Sequence, residues 1–284
     1  MAREWERPRT HGLRFDVNCS ILFTELPLLE RPAAAKAAGF GGVEFWWPWH
    51  DPVPGDRAAD AFITAIADAG VDLVSLNFIT GDIAAGERGL LSVPKAKDAF
   101  RANIPACAEI AARAGCTRLN APYGNRVDPA DARLTAEQDE LAIENLLLAA
   151  RAAAAVEADV LIEPINSVDV PSYPIDTSAK AIALIDTVRA EDTAVGNLKL
   201  LADLYHLATM SEDLGAVLAR YANQIGHVQV ADVPGRGAPG TGTLALEPLF
   251  RQLAAQGYAG WTGLEYVPAD PADTTKSFSW LRAT

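Results

Sequence analysis

Short apolar or β-branched runs alternate with longer alanine-rich segments along the 284-residue chain. A strand buried on both faces reads as a continuous apolar run, and a helix must carry the chain back to the same sheet edge, so this alternation points to parallel βα units. Candidate strands lie at Leu13–Asn18, 42–46, 71–78, 118–121, 160–164, Leu198–Asp203, 225–231 and 261–266, with 118–121 the least marked. Helical stretches fall at 28–38, 60–69, 99–114, 136–158, 178–189 and 246–256. Gly39, Gly70, Gly115 and Gly257 each follow a helix and precede a strand, the place of a left-handed C-terminal cap. Eight such units, over somewhat more than the ~250 residues usual for the architecture, predict an α/β fold of the closed (β/α)8 barrel type. An open doubly wound sheet is the alternative. No Ser/Gly-rich linker, low-complexity tail or shift in composition divides residues 1–284, which read as one domain. The segment 270–284 is expected to add a short closing helix after the eighth strand, with Trp280 as its apolar anchor.

Hydrophobic residues make up 50% of the chain, enough for a sizeable core. With 37 acidic against 24 basic residues, the formal net charge of -13 argues against a surface built to neutralise nucleic acid or anionic lipid. A small anionic substrate needs only a local basic pocket. Cys19, Cys107 and Cys116 form no Cys-x-x-Cys pair, so reduced, buried thiols are expected rather than a disulfide framework or a thiolate zinc site. The opening MAREWERPRTHG lacks the apolar core of a signal peptide, and no apolar run approaches membrane-spanning length, so a soluble, cytoplasmic protein is expected. Scattered apolar residues on the helices leave room for a homo-oligomer without marking an interface.

The apolar strands repeatedly finish in residues that resist burial. VLIEP carries Glu163, LKLLAD carries Asp203, HVQVAD carries Gln229 and Asp232, and GLEY carries Glu265. A buried charge must be paired or bound to a metal, and in a barrel the carboxyl ends of successive strands meet on one rim, where barrel enzymes place their chemistry. Glu163, Asp203, Gln229 and Glu265 would supply three carboxylates and an amide oxygen, a hard donor set suited to Mg²⁺ or Mn²⁺. The plainer reading makes these acids members of ion pairs or caps of neighbouring loops.

Several longer segments occur in order along nearly the whole chain: NCSILFTELPLLERPAAAKAAGF, GERGL, LIEPIN, DLYH, GHVQVADVPGRGAPGTG and GLEY. By these marks the sequence resembles the hydroxypyruvate isomerase family, within the xylose isomerase-like TIM barrel superfamily. The resemblance implies a proton-transfer isomerase in which Glu163 and Glu265 lie on opposite sides of the substrate, while Glu163, Asp203, Gln229 and Glu265 form the metal site. The residue types suit that chemistry. Moving a carbonyl between adjacent carbons requires a base, an acid and stabilisation of the enediolate between them, which two carboxylates and a Lewis-acid cation provide. The expected substrate is a small hydroxy or keto acid, or a sugar.

His206, in DLYH, is placed to hydrogen-bond a substrate oxygen, with a purely structural histidine as the alternative. Arg236 in VPGRG and Arg88 in GERG are candidates for holding a substrate carboxylate, because guanidinium offers it a bidentate match; solvated loop positions are the alternative. His227 shares the inward strand face with Gln229, either as a ligand or supporting group or as a satisfied interior histidine. Trp46, Trp47 and Trp49, after Glu44, offer an aromatic wall or core packing, and Glu44 either orients a neighbour or faces an arginine. The family often carries a basic residue just after the EPIN segment, whereas this chain reads Ser167, Val168, Asp169.

Gly235, Gly237 and Gly240 satisfy the spacing of a dinucleotide fingerprint, but Pro239 and Thr241 keep the segment from opening a helix, and a flexible lid is the better reading. A metal-dependent endonuclease would need a histidine-rich cluster and a basic face, and only four histidines are present. A glycoside hydrolase could use two carboxylates but has no need of Asp203 and Gln229. A 2-oxo-tetronate isomerase, a ketose 3-epimerase and a non-catalytic sugar-acid-binding barrel remain as alternatives.

Overall fold

The structure, a computed structural model, describes residues 9–282. Its strands are β1 (Leu13–Asn18), β2 (Gly42–Phe45), β3 (Asp72–Asn77), β4 (Arg118–Asn120), β5 (Asp159–Ile162), β6 (Leu198–Asp203), β7 (Ile225–Val230) and β8 (Trp261–Leu264). Each pairs in parallel with the next, and β8 pairs with β1 from Arg14↔Trp261 to Val17↔Leu264, which closes the ring. The closed (β/α)8 barrel is therefore the fold, and the open sheet is excluded. A two-residue strand, Arg9–Thr10, folds back antiparallel on the start of β1.

The outer layer is formed by α1 (Arg31–Ala37), α2 (Asp56–Ala69), α3 (Lys97–Ala114), α4 (Ala132–Ala154), α5 (Ser178–Glu191), α6 (Leu204–Thr209), α7 (Leu214–Arg220) and α8 (Leu246–Ala255). Helix starts are set by local chemistry. Asp131 caps α4 by accepting from the Arg133 and Leu134 N–H groups, so that helix begins four residues before the expected 136. It also ends earlier than the expected 158, where Glu157 turns to φ +58° and Ala158 N–H bonds back to Ala153. Gly70 and Gly115 are left-handed caps as expected. The short α6 and α7 escaped the sequence reading because six or seven residues show too little of a 3.6-residue period.

After β8 a 3-10 segment, Thr274–Arg282, packs its aromatic residues on Phe15 of β1, Phe250 of α8 and Phe40. Trp280 meets Phe15 edge-on at 5.5 Å and stacks on Phe250 at 6.3 Å, the anchoring expected of it. Residues 283–284 of the expected closing helix lie outside the described residues. All three cysteines are free and buried. Among the described residues, no helix is long and apolar enough to cross a membrane.

Residues two apart on a strand share a face, so Asp16 and Asn18, His227 and Gln229, and Gly263 and Glu265 each stand one above the other inside the barrel. Glu44 joins this interior, and a side chain on Gly263 would meet its Oε1 at 2.5 Å. The barrel centre is thus polar well below the rim, with Asp16, Glu44 and His227 all buried.

Candidate active site

Four strand ends bring Glu163, Asp203, Gln229 and Glu265 to the rim, where all four are buried. Each is held through at least one atom by a neighbour. Asn120 Nδ2 donates to Glu163 Oε2 at 2.7 Å and Asn18 Nδ2 donates to Glu265 Oε2 at 3.1 Å. Asp203 Oδ1 accepts from Tyr205 N–H at 2.8 Å, capping α6, and Gln229 Nε2 donates to Glu44 Oε1 at 2.8 Å. Asp203 Oδ2 and Gln229 Oε1 are left buried with no hydrogen-bond partner. A buried acceptor without a partner is unfavourable by roughly 1–3 kcal/mol, so these oxygens call for a cation or a donor. Together with the carboxylate oxygens of Glu163 and Glu265, they fit a hard divalent ion.

His206 stands beside the acids. Its Nδ1 accepts from Asn166 N–H at 3.3 Å and lies 2.7 Å from Asn166 Nδ2, so in the neutral ring the proton sits on Nε2. That Nε2 lies 3.6 Å from Asp203 Oδ2 and 3.7 Å from Glu163 Oε1. Burial, reinforced by Arg236 and Arg88, keeps the imidazole well below its usual pKa and therefore neutral at pH 7. Arg236 Nη2 donates to Glu265 Oε1 and lies 3.7 Å from Asp203 Oδ2. Burial works against its charge, but Glu265, Asp203 and Glu163 outweigh that and raise its pKa.

The crowding of acids has the opposite effect on the glutamates. Burial first, then the charges of Glu265 and Asp203, push the Glu163 carboxyl well above the usual range. Burial likewise lifts Glu265 to about 8, with Arg236 opposing. Carboxyls poised in this way can hold a proton as well as take one.

A cavity of about 140 Å³ opens beside these groups, lined by Trp46, Asn77, Arg88, Glu163, His206 and Arg236 among others. Its size suits a small ligand rather than a polymer. Arg88 Nη1 is tied to its own loop through the carbonyls of Ile83 and Glu87, at 3.0 and 2.7 Å. Of the three tryptophans after β2, Trp46 lines the cavity, while Trp47 and Trp49 pack on each other and Trp49 on Phe62. His227 Nε2 pairs with Glu44 Oε2 at 2.8 Å, beneath the rim. Asp232 stands apart from the acids: its carboxylate accepts from the N–H groups of Val233, Gly240, Gly242 and Leu244, each at 2.9 Å. The glycine loop expected as a flexible lid is therefore bound to Asp232 at its base.

The sequence reading missed Asn18 and Asn120, which orient the two glutamates, and left Glu44 without an assignment. A signal was available. β1, β3 and β4 all end in asparagine, at Asn18, Asn77 and Asn120, as β6 ends in Asp203.

Residues 32–284 match the model of the family described as xylose isomerase-like TIM barrel. A Streptomyces coelicolor protein provisionally named hydroxypyruvate isomerase is 56% identical, covering 95% of this chain and 96% of its own. The hydroxypyruvate isomerase of Escherichia coli is 35% identical (95% and 98%), and the 2-oxo-tetronate isomerase of Cupriavidus necator 38% (95% and 97%). The solved structure of an AP endonuclease, family 2, from Brucella melitensis superposes with a TM-score of 0.84 at 34% identity, covering 95% of this chain and 98% of that one. The chain belongs to the xylose isomerase-like TIM barrel family and, within it, to the hydroxypyruvate isomerase group.

Proposed function

We propose that this isomerase interconverts hydroxypyruvate and tartronate semialdehyde, with Glu163 and Glu265 as its two proton-transfer groups. The observation that carries the reading is their pairing. Each glutamate is held through one oxygen by an asparagine, and both line the same buried cavity. Glu163, Asp203, Gln229 and Glu265 would hold a divalent cation, Mg²⁺ or Mn²⁺, which supplies Lewis-acid stabilisation of the negative charge that develops on the substrate.

One glutamate removes a proton from the hydroxymethyl carbon, and the electron pair moves to give an enediolate. The other returns a proton to the former ketone carbon, while the hydroxyl proton passes from the terminal oxygen to the neighbouring one. His206 Nε2–H donates to an enediolate oxygen, the role its neutral state and fixed tautomer allow. Arg88 and Arg236 hold the substrate carboxylate, and burial of the acids keeps bulk water from quenching the intermediate.

A nuclease reading, suggested by the name of the Brucella structure, conflicts with the net charge of -13. The Cupriavidus relative supports a second reading, in which the same chemistry acts on a four-carbon 2-oxo acid. The test is to incubate metal-replete and chelated protein with hydroxypyruvate and follow product by NMR. Conversion only with metal present is expected. Turnover of 2-oxo-tetronate but not of hydroxypyruvate would move the assignment to the second reading, and turnover of neither would contradict both.

A further inference from the structure

Arg236 sits between Gly235 and Gly237 with φ at +55°, a left-handed conformation that L residues seldom adopt. Its backbone is fixed: Asp232 gathers the loop's N–H groups, and the Arg236 carbonyl accepts from Val267 N–H at 2.7 Å. The side chain is held less firmly: its Nε donates to the Glu265 carbonyl at a long 3.3 Å, and the guanidinium beyond it can exchange partners. In this structure it reaches inward, donating from Nη2 to Glu265 Oε1, with Asp203 Oδ2 at 3.7 Å and its guanidinium carbon 5.5 Å from the Tyr205 ring centroid. The same side chain lines the cavity.

The oxygens it faces are those a cation would need. Asn18 takes Glu265 Oε2 and Tyr205 N–H takes Asp203 Oδ1, which leaves Oε1 and Oδ2 as the atoms available for coordination. A guanidinium N–H and a metal ion cannot use the same lone pairs at bonding distance, and their like charges repel. We infer that Arg236 competes with the cation for Glu265 and Asp203, so that cation binding turns the guanidinium into the cavity, where it receives the substrate carboxylate. The inference rests on the metal site proposed above. Its consequence is that cation and carboxylate each strengthen the other's binding, because each favours the outward position of one side chain.

Mn²⁺ binding to wild type and Arg236→Gln, measured by the EPR signal of free Mn²⁺ with and without pyruvate as a carboxylate that cannot complete the isomerisation, tests this. Arg236→Gln should bind Mn²⁺ about tenfold more tightly in the absence of pyruvate, within the usual range of coupling factors. Pyruvate should tighten Mn²⁺ binding more in wild type than in the variant. Equal pyruvate effects in the two proteins would overturn the inference while leaving the metal site standing, whereas no Mn²⁺ binding by wild type would overturn the metal site and the inference with it. Should the variant fail to fold, phenylglyoxal modification of Arg236 in wild type, mapped by mass spectrometry, decides the matter. Mn²⁺ should accelerate it several-fold and pyruvate should then suppress it; a rate indifferent to Mn²⁺ overturns the inference.

Discussion

Gln229 Nε2 donates to Glu44 Oε1 at 2.8 Å, and that bond decides which end of the amide faces the acids of the rim. His227 occupies the other Glu44 oxygen at 2.8 Å, so the carboxylate is held from two sides, and the Gln229 carbonyl oxygen is left buried with no partner of its own. Glu44 thus aims the Gln229 carbonyl oxygen at the proposed cation site without itself lining the cavity. Groups that orient a ligand in this way commonly contribute 10–100-fold to metal affinity.

Replacing Glu44 with Gln gives Gln229 and His227 a partner that no longer accepts at both atoms. Mn²⁺ affinity should fall by about tenfold or more while the circular dichroism spectrum is retained. Unchanged affinity in a Mn²⁺ titration would show that the amide is oriented by something else.

Asp16 lies one layer below Asn18, wholly buried, with neither carboxylate oxygen partnered. Burial, with Glu44 adding to it, pushes its pKa from 3.8 up to about 8. An acid raised on folding keeps a proton in the native state that the unfolded chain has already released. The stability it contributes is complete below about pH 4 and is lost as pH rises through about 8. The urea midpoint of the wild type should therefore fall between pH 6 and 9, and Asp16→Asn, neutral at every pH, should flatten that fall. Equal slopes would contradict the assignment.

Gly89, beside Arg88, has φ at +103°, and an added Cβ would stand 2.0 Å from the Pro122 carbonyl oxygen. Because the obstacle is backbone, the loop itself must move. Gly89→Ala should destabilise the protein by roughly 1–3 kcal/mol and raise KM for hydroxypyruvate more than it lowers kcat, as Arg88 shifts. Thermal melting and steady-state kinetics read the two effects separately.

The barrel was legible because its evidence repeats: eight apolar runs bounded by helices leave few topologies, and glycines such as Gly70 and Gly115 mark helix ends without tertiary help. Glu163, Asp203, Gln229 and Glu265 were legible for a related reason, since a polar residue at the end of a buried strand has few places to go. The hydrogen bonds that aim these residues were not legible. Asn18 meets Glu265 across 247 positions and Glu44 meets Gln229 across 185, and such pairs follow only once the ring closes and its register is set. The sequence marks Arg236 only as a candidate for holding a carboxylate, and its bond to Glu265 depends on the fixed loop between Asp232 and Leu244, which no local pattern reveals.

The most direct measurement follows the C–H protons of hydroxypyruvate by NMR in D₂O, with wild type, Glu163→Gln and Glu265→Gln side by side and metal supplied to all three. Wild type should exchange the hydroxymethyl protons and form tartronate semialdehyde, while each variant folds normally and loses at least about 100-fold in rate, the lower range for a general acid or base. Near-normal turnover in either variant would remove that glutamate from the mechanism, and conversion by wild type without proton exchange into solvent or product would contradict transfer through the two carboxyls.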